Sequence, residues 1–550
     1  MTKIITGKQE ILSDLEKRVN DKILEQNNFD LLKKLVENAD TLDEAIKIAE
    51  LGTTYKRTGF HFDKRLERQS DAISYFKKNN ELSFEMDTNF KKNNELLFDT
   101  THDAITHKLI VGDNYPALLN LLIEYKGKID VIYIDPPYAK DSMNGFAETN
   151  YDNAITRDNL LSMLYPRLFV AKLLLSENGV IFCSIDDRNH AYVKCLFDEV
   201  FGESNFVGNS IIVNNRGGRD YGGIAKQHEY LLIFSKNIQE YGLNLIDEPD
   251  KKFQYEDEQG GFNLMELRNR NVKFNDKNRP NLCYPFYVNP NNSDKNGLLE
   301  ISLEEKEGFI KIMPAISQGV QTVWRWGKEE KARENLNKEI FGKTNNGNGG
   351  YMIVQKYRKT TKMQRSIWDE KDFVNERGTE TVKEIFGRSV FDYPKSVSLI
   401  KRIIELGANT YSIILDFFAG SGTTGQAVLE LNKEDNGNRQ FILVTNNEKT
   451  DINPNGIATD VTSKRLKRVM TGKCYNGTSD FEWANKNKPF GDNLLVLDIA
   501  EVSNFEAVTG KTAFDVIDET LYGNEKFTTV KEKVEWVCNN FEVTQKILEE

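Results

Sequence analysis

The sequence predicts an α/β fold, a mostly parallel sheet with crossover helices whose strands come from two separated stretches of chain. Three observations predict it. Short apolar runs alternate with helix-length stretches from residue 108 to 234, the alternation lapses between 236 and 390, and it resumes at 397. One sheet is thus assembled around a long insertion. A chain of 550 residues has material for roughly two to four folded units.

Residues 1–104 read as a helical accessory segment. Between Phe29 and Leu51, the residues Leu31, Leu32, Leu35, Val36, Leu42, Ala45, Ile46 and Ile48 recur at three- and four-residue spacings, as on a helix face. The block Phe76–Phe84 is echoed at Phe90–Phe98, a period of 14, and two copies are too few for a solenoid. It reads as a duplication in a surface linker. Residues 105–235 carry strands at Lys108–Val111, Ile129–Ile134 and Val180–Ile185, a crossover helix within Leu160–Leu175, and a final strand pair at Ser210–Val213 and Tyr230–Phe234. Residues 236–390 have Asn- and Gly-rich breaks at Asn289–Gly297 and Thr344–Gly350 and no long periodic element, which marks a separate inserted domain. In residues 391–473 the pattern returns. Val397, Leu399, Ile400, Ile403, Ile404 and Leu406 share one helical face, followed by strands at Ile413–Phe417 and Phe441–Val444. Residues 474–550 form a C-terminal accessory domain.

Composition narrows the function. No apolar run reaches the roughly 18 to 20 residues of a membrane-spanning helix, and the start Met1-Thr2-Lys3-Ile4-Ile5-Thr6-Gly7-Lys8 lacks a secretory signal, so a cytoplasmic location is expected. Cys183, Cys195, Cys283, Cys474 and Cys538 are scattered, with no Cys-x-x-Cys spacing, and neither a disulfide framework nor a metal site is expected. The net charge of −11 argues against a nucleic-acid partner until its distribution is read: residues 206–400 carry +3 and the remainder −14. The densest basic stretch, Gln355 to Arg365, holds Lys356, Arg358, Lys359, Lys362 and Arg365 with no acid. These are the candidate DNA-binding residues. If all five touched phosphate, their removal would change the slope of log K against log salt by up to about 4.5.

Two motifs carry chemistry. Ile413 to Gly425 is a strand running into the turn Ala419-Gly420-Ser421-Gly422 and then a helix. Such a turn lets backbone approach a ligand closely, and the helix start offers unpaired N–H groups, as a nucleotide-like cofactor requires. Glu448, 26 residues past Gly422 and beyond the next strand, suits a ribose hydroxyl. ATP hydrolysis is not expected. Gly-Lys-Thr occurs at 342–344 and 510–512, but Asn337 and Phe505 stand where the phosphate loop needs its first glycine.

The second motif is Ile129 to Ile134 followed by Asp135-Pro136-Pro137-Tyr138. An acid and two prolines at a strand end fix a carboxylate, carbonyls and an aromatic ring at the sheet's carboxyl edge, where open α/β folds bind ligands. An exocyclic amine is a poor nucleophile because its lone pair is delocalised into the ring. The Asp135 carboxylate and the Pro136 carbonyl could hold both its N–H groups and turn the lone pair toward a methyl donor, with Tyr138 stacked on the base. A base in a duplex must be extruded to reach such a pocket, at roughly a few kcal/mol.

At these residues the chain resembles the amino-methylating DNA methyltransferases, in which Asp/Asn/Ser-Pro-Pro-aromatic marks the catalytic loop and Phe-x-Gly-x-Gly the cofactor loop. The order, with the catalytic loop first and a recognition domain between, is that of their beta group. Val111-Gly112-Asp113-Asn114, Trp324-Arg325-Trp326, Gly378-Thr379-Glu380, Phe391-Asp392-Tyr393-Pro394-Lys395 and Leu415 to Gly425 look like the modification subunit of Type III restriction–modification systems. That similarity spans roughly residues 105–470. It implies a permuted Rossmann-like methyltransferase sheet with an inserted target-recognition domain, and S-adenosylmethionine as cofactor. It further implies that Asp135, Pro136, Pro137 and Tyr138 hold the target adenine. Asp113 and Asn114 would meet the cofactor's adenine, and Glu448 its ribose. Asp416, Phe418, Ala419, Gly420, Gly422, Thr423 and Thr424 would line the cofactor pocket, with Pro394 and Lys395 near the methionine end. Asp at the first catalytic position favours adenine N6 over cytosine N4. One departure stands out: Ala139-Lys140-Asp141 replaces the family's common Asn-Thr-Gly. Type III members typically work as dimers on double-stranded DNA with a separate ATP-dependent restriction subunit. The rival readings are a stand-alone Type II adenine methyltransferase, a catalytically silent DNA-recognition protein, and methylation of RNA or of protein glutamine.

Overall fold

The computed structural model describes residues 2–20, 26–51, 72–86, 104–138, 157–218, 223–248, 250–345, 350–503 and 512–542. Among them, helices α1 (Thr2–Asn20), α2 (Gln26–Asn38) and α3 (Leu42–Leu51) enclose a small core of their own around Leu15, Phe29, Leu32, Val36 and Ala45. Three short helices cannot cover every apolar position of the predicted face. Leu31, Leu35 and Ile46 stay exposed.

The main sheet has ten strands: β1 (Ala72–Lys78), β2 (Thr106–Val111), β3 (Ile129–Ile134), β4 (Leu175–Ile185), β5 (Phe206–Val213), β6 (His228–Ser235), β7 (Ile367–Trp368), β8 (Ile413–Asp416), β9 (Gln440–Thr445) and β10 (Asn493–Ser503). Their spatial order is β1-β10-β2-β9-β8-β3-β4-β6-β5-β7. From β10 to β4 all neighbours are parallel, while β6 runs antiparallel to both β4 and β5. A parallel sheet is covered on both faces, so its strands read as continuous apolar runs. In β3, Ile132 and Ile134 pack beneath α4 (Asn114–Tyr125), α5 (Arg157–Leu174) and α6 (His190–Phe201). With α7 as Asn375–Phe386, the opposite face, with Val131 and Tyr133, meets α8 (Val397–Gly407), α9 (Thr423–Asp435) and α10 (Ser463–Thr471). The six α8 residues expected on one face are all buried.

Two expected boundaries are corrected. Residues 72–78 are not part of a helical accessory segment: β1 pairs with β10, which itself lies between β1 and β2 and pairs in parallel with Thr106–Val111. The C-terminal stretch is therefore built into the sheet instead of being appended to it. Both segments follow masses of polar chain that hide their apolar alternation. The first copy of the short repeat runs from β1 to Phe84, and its echo at 90–98 lies outside the described residues.

The insertion also differs in extent. It contains a seven-stranded sheet whose spatial order is 310–312, 286–293, 299–302, 340–344, 351–357, 260–266 and 255–257. Its core gathers Phe286, Val288, Leu299, Ile301, Trp324, Ile340 and Ile353. Beyond it the chain returns to the main body earlier than residue 390: β7 pairs with β5, and α7 buries Ile385 against the α8–α10 face and Val382 against Ile457 and Val461. Among the described residues no helix is long and apolar enough to cross a membrane.

Leu497 of β10 is fully buried between the β1 and β2 strands. Leu497→Ala is expected to cost about 2–5 kcal/mol in chemical denaturation; a change near zero would return β10 to the status of an appendage.

Candidate active site

Parallel pairing of β8 with β3 aligns Ile414 with Val131 and Leu415 with Ile132. The glycine turn after β8 and Asp135-Pro136-Pro137-Tyr138 after β3 therefore emerge side by side at the carboxyl edge. β9 and β2 continue the same edge, where the Gly112 N–H donates to the Thr445 carbonyl at 3.0 Å. Ligands of open α/β sheets bind along this edge.

Strand alternation sends Asp135 to the same face as Val131 and Tyr133, the side covered by α8. There it meets a charged cluster. The Tyr138 hydroxyl donates to Asp135 Oδ1 at 2.8 Å, and Lys395 Nζ lies 3.3 Å from the same oxygen. Lys395 gives its strongest contacts to Glu229, at 2.7 Å to Oε1 and 2.6 Å to Oε2, and also reaches the Tyr138 hydroxyl at 3.2 Å. Asn214 Nδ2 donates to Glu229 Oε2 at 2.9 Å. Lys395 and Glu229 are buried, whereas the Asp135 side chain keeps 27% exposure. Burial raises the Asp135 carboxyl above its ordinary value; the Lys395 charge opposes this and Glu229 adds to it. For Lys395, burial works against the ammonium, but Asp135 and Glu229 outweigh it and hold its pKa above that of an ordinary lysine. Lys395, expected near a cofactor's methionine end, is held here by Asp135 of the catalytic loop and by Glu229 of β6. Pro394 is buried beside it. Residues 139–141 lie outside the described residues.

The glycine turn is braced from below. Gly420 and Gly422 have φ of +48° and +79°, and a Cβ on them would come within 3.1 Å of the Phe391 ring and of Thr462. Asp416 does not face the crevice: it is buried, accepts from the Phe418 N–H at 3.0 Å and from the Thr424 hydroxyl at 2.5 Å, and burial pushes its carboxyl up to about 7. Thr423 and Thr424 are likewise buried and turned inward. These three residues shape the turn from beneath, while Phe418 and Gly420 are partly exposed on it and Ala419 is buried between them. Asp113 caps α4, accepting from the Tyr115 N–H at 2.7 Å, and Arg167 donates to it at 3.0 Å. Asn114 Nδ2 donates to the Phe417 carbonyl at 2.9 Å, tying the start of α4 to the glycine turn. Glu448 follows β9 by three residues, half-buried, with its carbonyl accepting from the Ile457 N–H.

The basic stretch is only partly available. Lys356 Nζ lies 2.6 Å from Asp257, and Arg358 binds Asp257 through both terminal nitrogens and Glu339 through one. Arg358 and Lys356 hold the Asp257 carboxyl well below the usual carboxylate range. Both cations are spent on joining strands of the insertion. Lys362 is exposed yet 3.3 Å from Glu248, and Lys359 and Arg365 are exposed. Among the described residues no group of His, Cys, Asp and Glu could hold a metal ion, and the five cysteines are unpaired.

Two residues escaped the sequence reading, and a third, Gly378, was noted there without a role. Glu229 was legible in principle, as an acid opening an otherwise apolar central strand. Arg465 is fully buried beneath the glycine turn, donating to Gln426 Oε1, the Ser421 carbonyl and hydroxyl, and the Thr423 hydroxyl, and burial lowers its pKa to about 10. Nothing local in the sequence marks it. Gly378 of α7 lies so close to the chain before α8 that a Cβ would sit 2.1 Å from the Pro394 carbonyl and 2.7 Å from that of Lys395.

Fold and edge together define the class: an α/β enzyme with a glycine-turn crevice beside a rigid acid-proline-proline-aromatic loop. A DNA methylase family model matches residues 129–451, and a model of an uncharacterised conserved protein matches residues 8–131. The Type II methyltransferase M.KpnI of Klebsiella pneumoniae is 35% identical over 358 residues, covering 63% of this chain and 82% of its own length. The EcoPI Mod subunit of a Type III restriction-modification enzyme, from Escherichia phage P1, is 31% identical over 404 residues, covering 66% of this chain and 62% of its own. Among solved structures, the M1.HpyAVI–SAM complex aligns over 65% of this chain and 98% of its own at 16% identity and a TM-score of 0.29. The chain belongs to the DNA methylase family.

Gly378→Ala would push the Pro394–Lys395 backbone away and shift the Lys395 ammonium. An ångström-scale displacement at a catalytic constellation costs about 100-fold in rate, so methyl transfer should fall by that order while the circular dichroism spectrum is retained; unchanged turnover would show that this contact does not position Lys395.

Proposed function

We propose that this chain transfers a methyl group from S-adenosylmethionine to N6 of adenine in double-stranded DNA, as the modification subunit of a Type III restriction–modification system. The observation that carries the reading is the side-by-side emergence of Asp135-Pro136-Pro137-Tyr138 and the glycine turn at one sheet edge. On this reading the main sheet is a permuted Rossmann-like methyltransferase sheet, the catalytic strand preceding the cofactor strand in sequence. The residues present fit the cofactor: Gly420 and Gly422 hold positive φ in close contact with Phe391 and Thr462, so the turn offers backbone at the edge without side chains, and exposed Asp113 opens α4, whose first residue Asn114 is tied to that turn. Phe418 to Gly422 would hold it, with Asp113 and Asn114 on its adenine and Glu448 on its ribose. When bound it supplies an electrophilic methyl group.

The chain's own residues prepare the nucleophile. Asp135 and the Pro136 carbonyl accept the two N6 hydrogens, Tyr138 covers the extruded base, and the prolines keep both acceptors fixed without reorganisation during reaction. Asp in place of Ser at the first position supports adenine over cytosine. The match to the EcoPI Mod subunit supports the Type III assignment, with a homodimer acting in the cytoplasm beside a separate ATP-dependent restriction subunit. The match to M.KpnI favours a second reading, a Type II enzyme without such a partner, and co-purification with an ATP-dependent nuclease subunit separates the two.

The insertion is read as the target-recognition domain. Its DNA-facing surface is better supplied by two segments that pair through Arg268–Asn269 and Val323–Trp324 than by residues 355–365. Residues 266–282 and 311–325 together hold seven cations against two acids, Asp276 and Glu266, the latter paired with Arg268 and Arg270. Lys273, Lys277, Arg279, Lys311 and Arg325 are exposed on them, as are Phe274 and Ile316.

Asp135→Ala is expected to abolish transfer of labelled methyl groups to adenine-bearing duplex while leaving cofactor and DNA binding intact. Loss of folding instead would make Asp135 structural, and a wild-type protein inactive at saturating cofactor would sink the reading. Replacing Lys273, Lys277 and Arg279 by Ala should lower the slope of log K against log salt by up to about 2.7, whereas Lys356→Ala should loosen the insertion without a comparable slope change. The reverse pattern would return the DNA contact to residues 355–365.

A further inference from the structure

We propose that Glu229 is a positioning residue for methyl transfer, holding the Lys395 ammonium away from Asp135 so that the Asp135 carboxylate stays open to the target amine and to the proton that amine releases. The inference rests on the adenine-methyltransferase reading and extends it to residues that the Asp-Pro-Pro-Tyr motif does not include.

The geometry carries it. Two carboxylates share one ammonium, and they share it unequally: Glu229 takes Lys395 through both oxygens at 2.7 and 2.6 Å, while Asp135 receives it at 3.3 Å. Asn214 fixes Glu229 from β5's end, and the close approach of Gly378 to Pro394 and Lys395 fixes the lysine's backbone. Without Glu229, the buried ammonium would have Asp135 as its remaining carboxylate partner in this cluster; Tyr138 already donates to Asp135 Oδ1, so a full ion pair with Lys395 would compete with the N–H group for the carboxylate. The charge balance points the same way. With Asp135 and Glu229 ionised and Lys395 protonated, the cluster is net negative where the reacting nitrogen becomes positive, and a low-dielectric site strengthens that attraction.

The reaction balances through these groups. The N6 lone pair forms the N–C bond as the S–C bond of the methyl donor breaks and its electron pair returns to sulfur. The nitrogen, now cationic, passes one proton to Asp135, which is partly exposed and hands it to solvent. The groups facing Asp135 are Lys395 before α8, Glu229 on β6, Tyr138 on its own loop, Tyr133 on β3, Cys183 on β4 and Asp416 on β8. Burial and Glu229 raise the Asp135 pKa and Lys395 lowers it, so the acid limb of the pH–kcat/KM profile, which reports the free enzyme, should lie above the ordinary carboxylate range.

The test uses the full-length chain and a duplex bearing the site that methylome sequencing of an expressing host identifies. Glu229→Gln removes a negative charge and frees Lys395 to bind Asp135, so the acid limb should move to lower pH and kcat should fall by about 100-fold. Lys395→Met removes the cation, so the limb should move to higher pH. Cofactor affinity by calorimetry, and fluorescence of 2-aminopurine at the target position, should be unchanged in both. Opposite limb shifts in the two variants support the proposal. Limbs that stay put or move together overturn it, as does Glu229→Gln turnover equal to wild type. If one variant fails to fold, the limb of the other decides. A wild-type chain that methylates no adenine would instead defeat the underlying adenine-methyltransferase reading.

Discussion

The parallel pairing of Ile414 and Leu415 with Val131 and Ile132 is the contact on which the rest depends. These strands are separated by the whole insertion and by β4 to β7 besides, and closing so long a loop carries an entropic cost that grows only slowly with length. Once they pair, Asp135 and the glycine turn have no freedom to be elsewhere. Both follow directly from strand ends with buried, β-branched or aliphatic residues on each face. The insertion can therefore carry its own sheet and its own core without disturbing the edge it interrupts.

Electrostatics at that edge follow from burial. Asp135, Glu229 and Lys395 are satisfied mainly by one another, with Tyr138 and Asn214 completing the network. A buried pair left with one member missing is costly, so such a cluster behaves as a unit and not as a list of side chains. Asp416, a few residues from the glycine turn, plays a different part: with its carboxyl raised toward neutrality by burial, it braces the turn from within. The same logic in the insertion turns Lys356 and Arg358 from candidate phosphate contacts into struts on Asp257.

Much of this was legible in the sequence, and the reasons differ by element. β3 was read to the residue because a six-residue apolar run ending in Asp-Pro-Pro admits no other boundary. The α8 face was legible because helical spacing and burial coincide. β1 and β10 were not, since each adds to the sheet through partners more than 380 residues away in the chain, and no local pattern reports such a pairing. The basic stretch misled because charge counts omit partners: Asp257 and Glu339 are about 100 and 19 residues from Arg358 in sequence and adjacent in space. Glu229 was hidden by the habit of reading strands for apolar residues alone.

The central claim is that one edge, built from two distant segments, methylates adenine in DNA. Methylome sequencing of a host with and without this chain tests it most directly. The account predicts N6-methyladenine at a single sequence motif, present with the chain and absent when Asp135 is replaced. Methylation of cytosine, or a methylome unchanged by the chain, would contradict it.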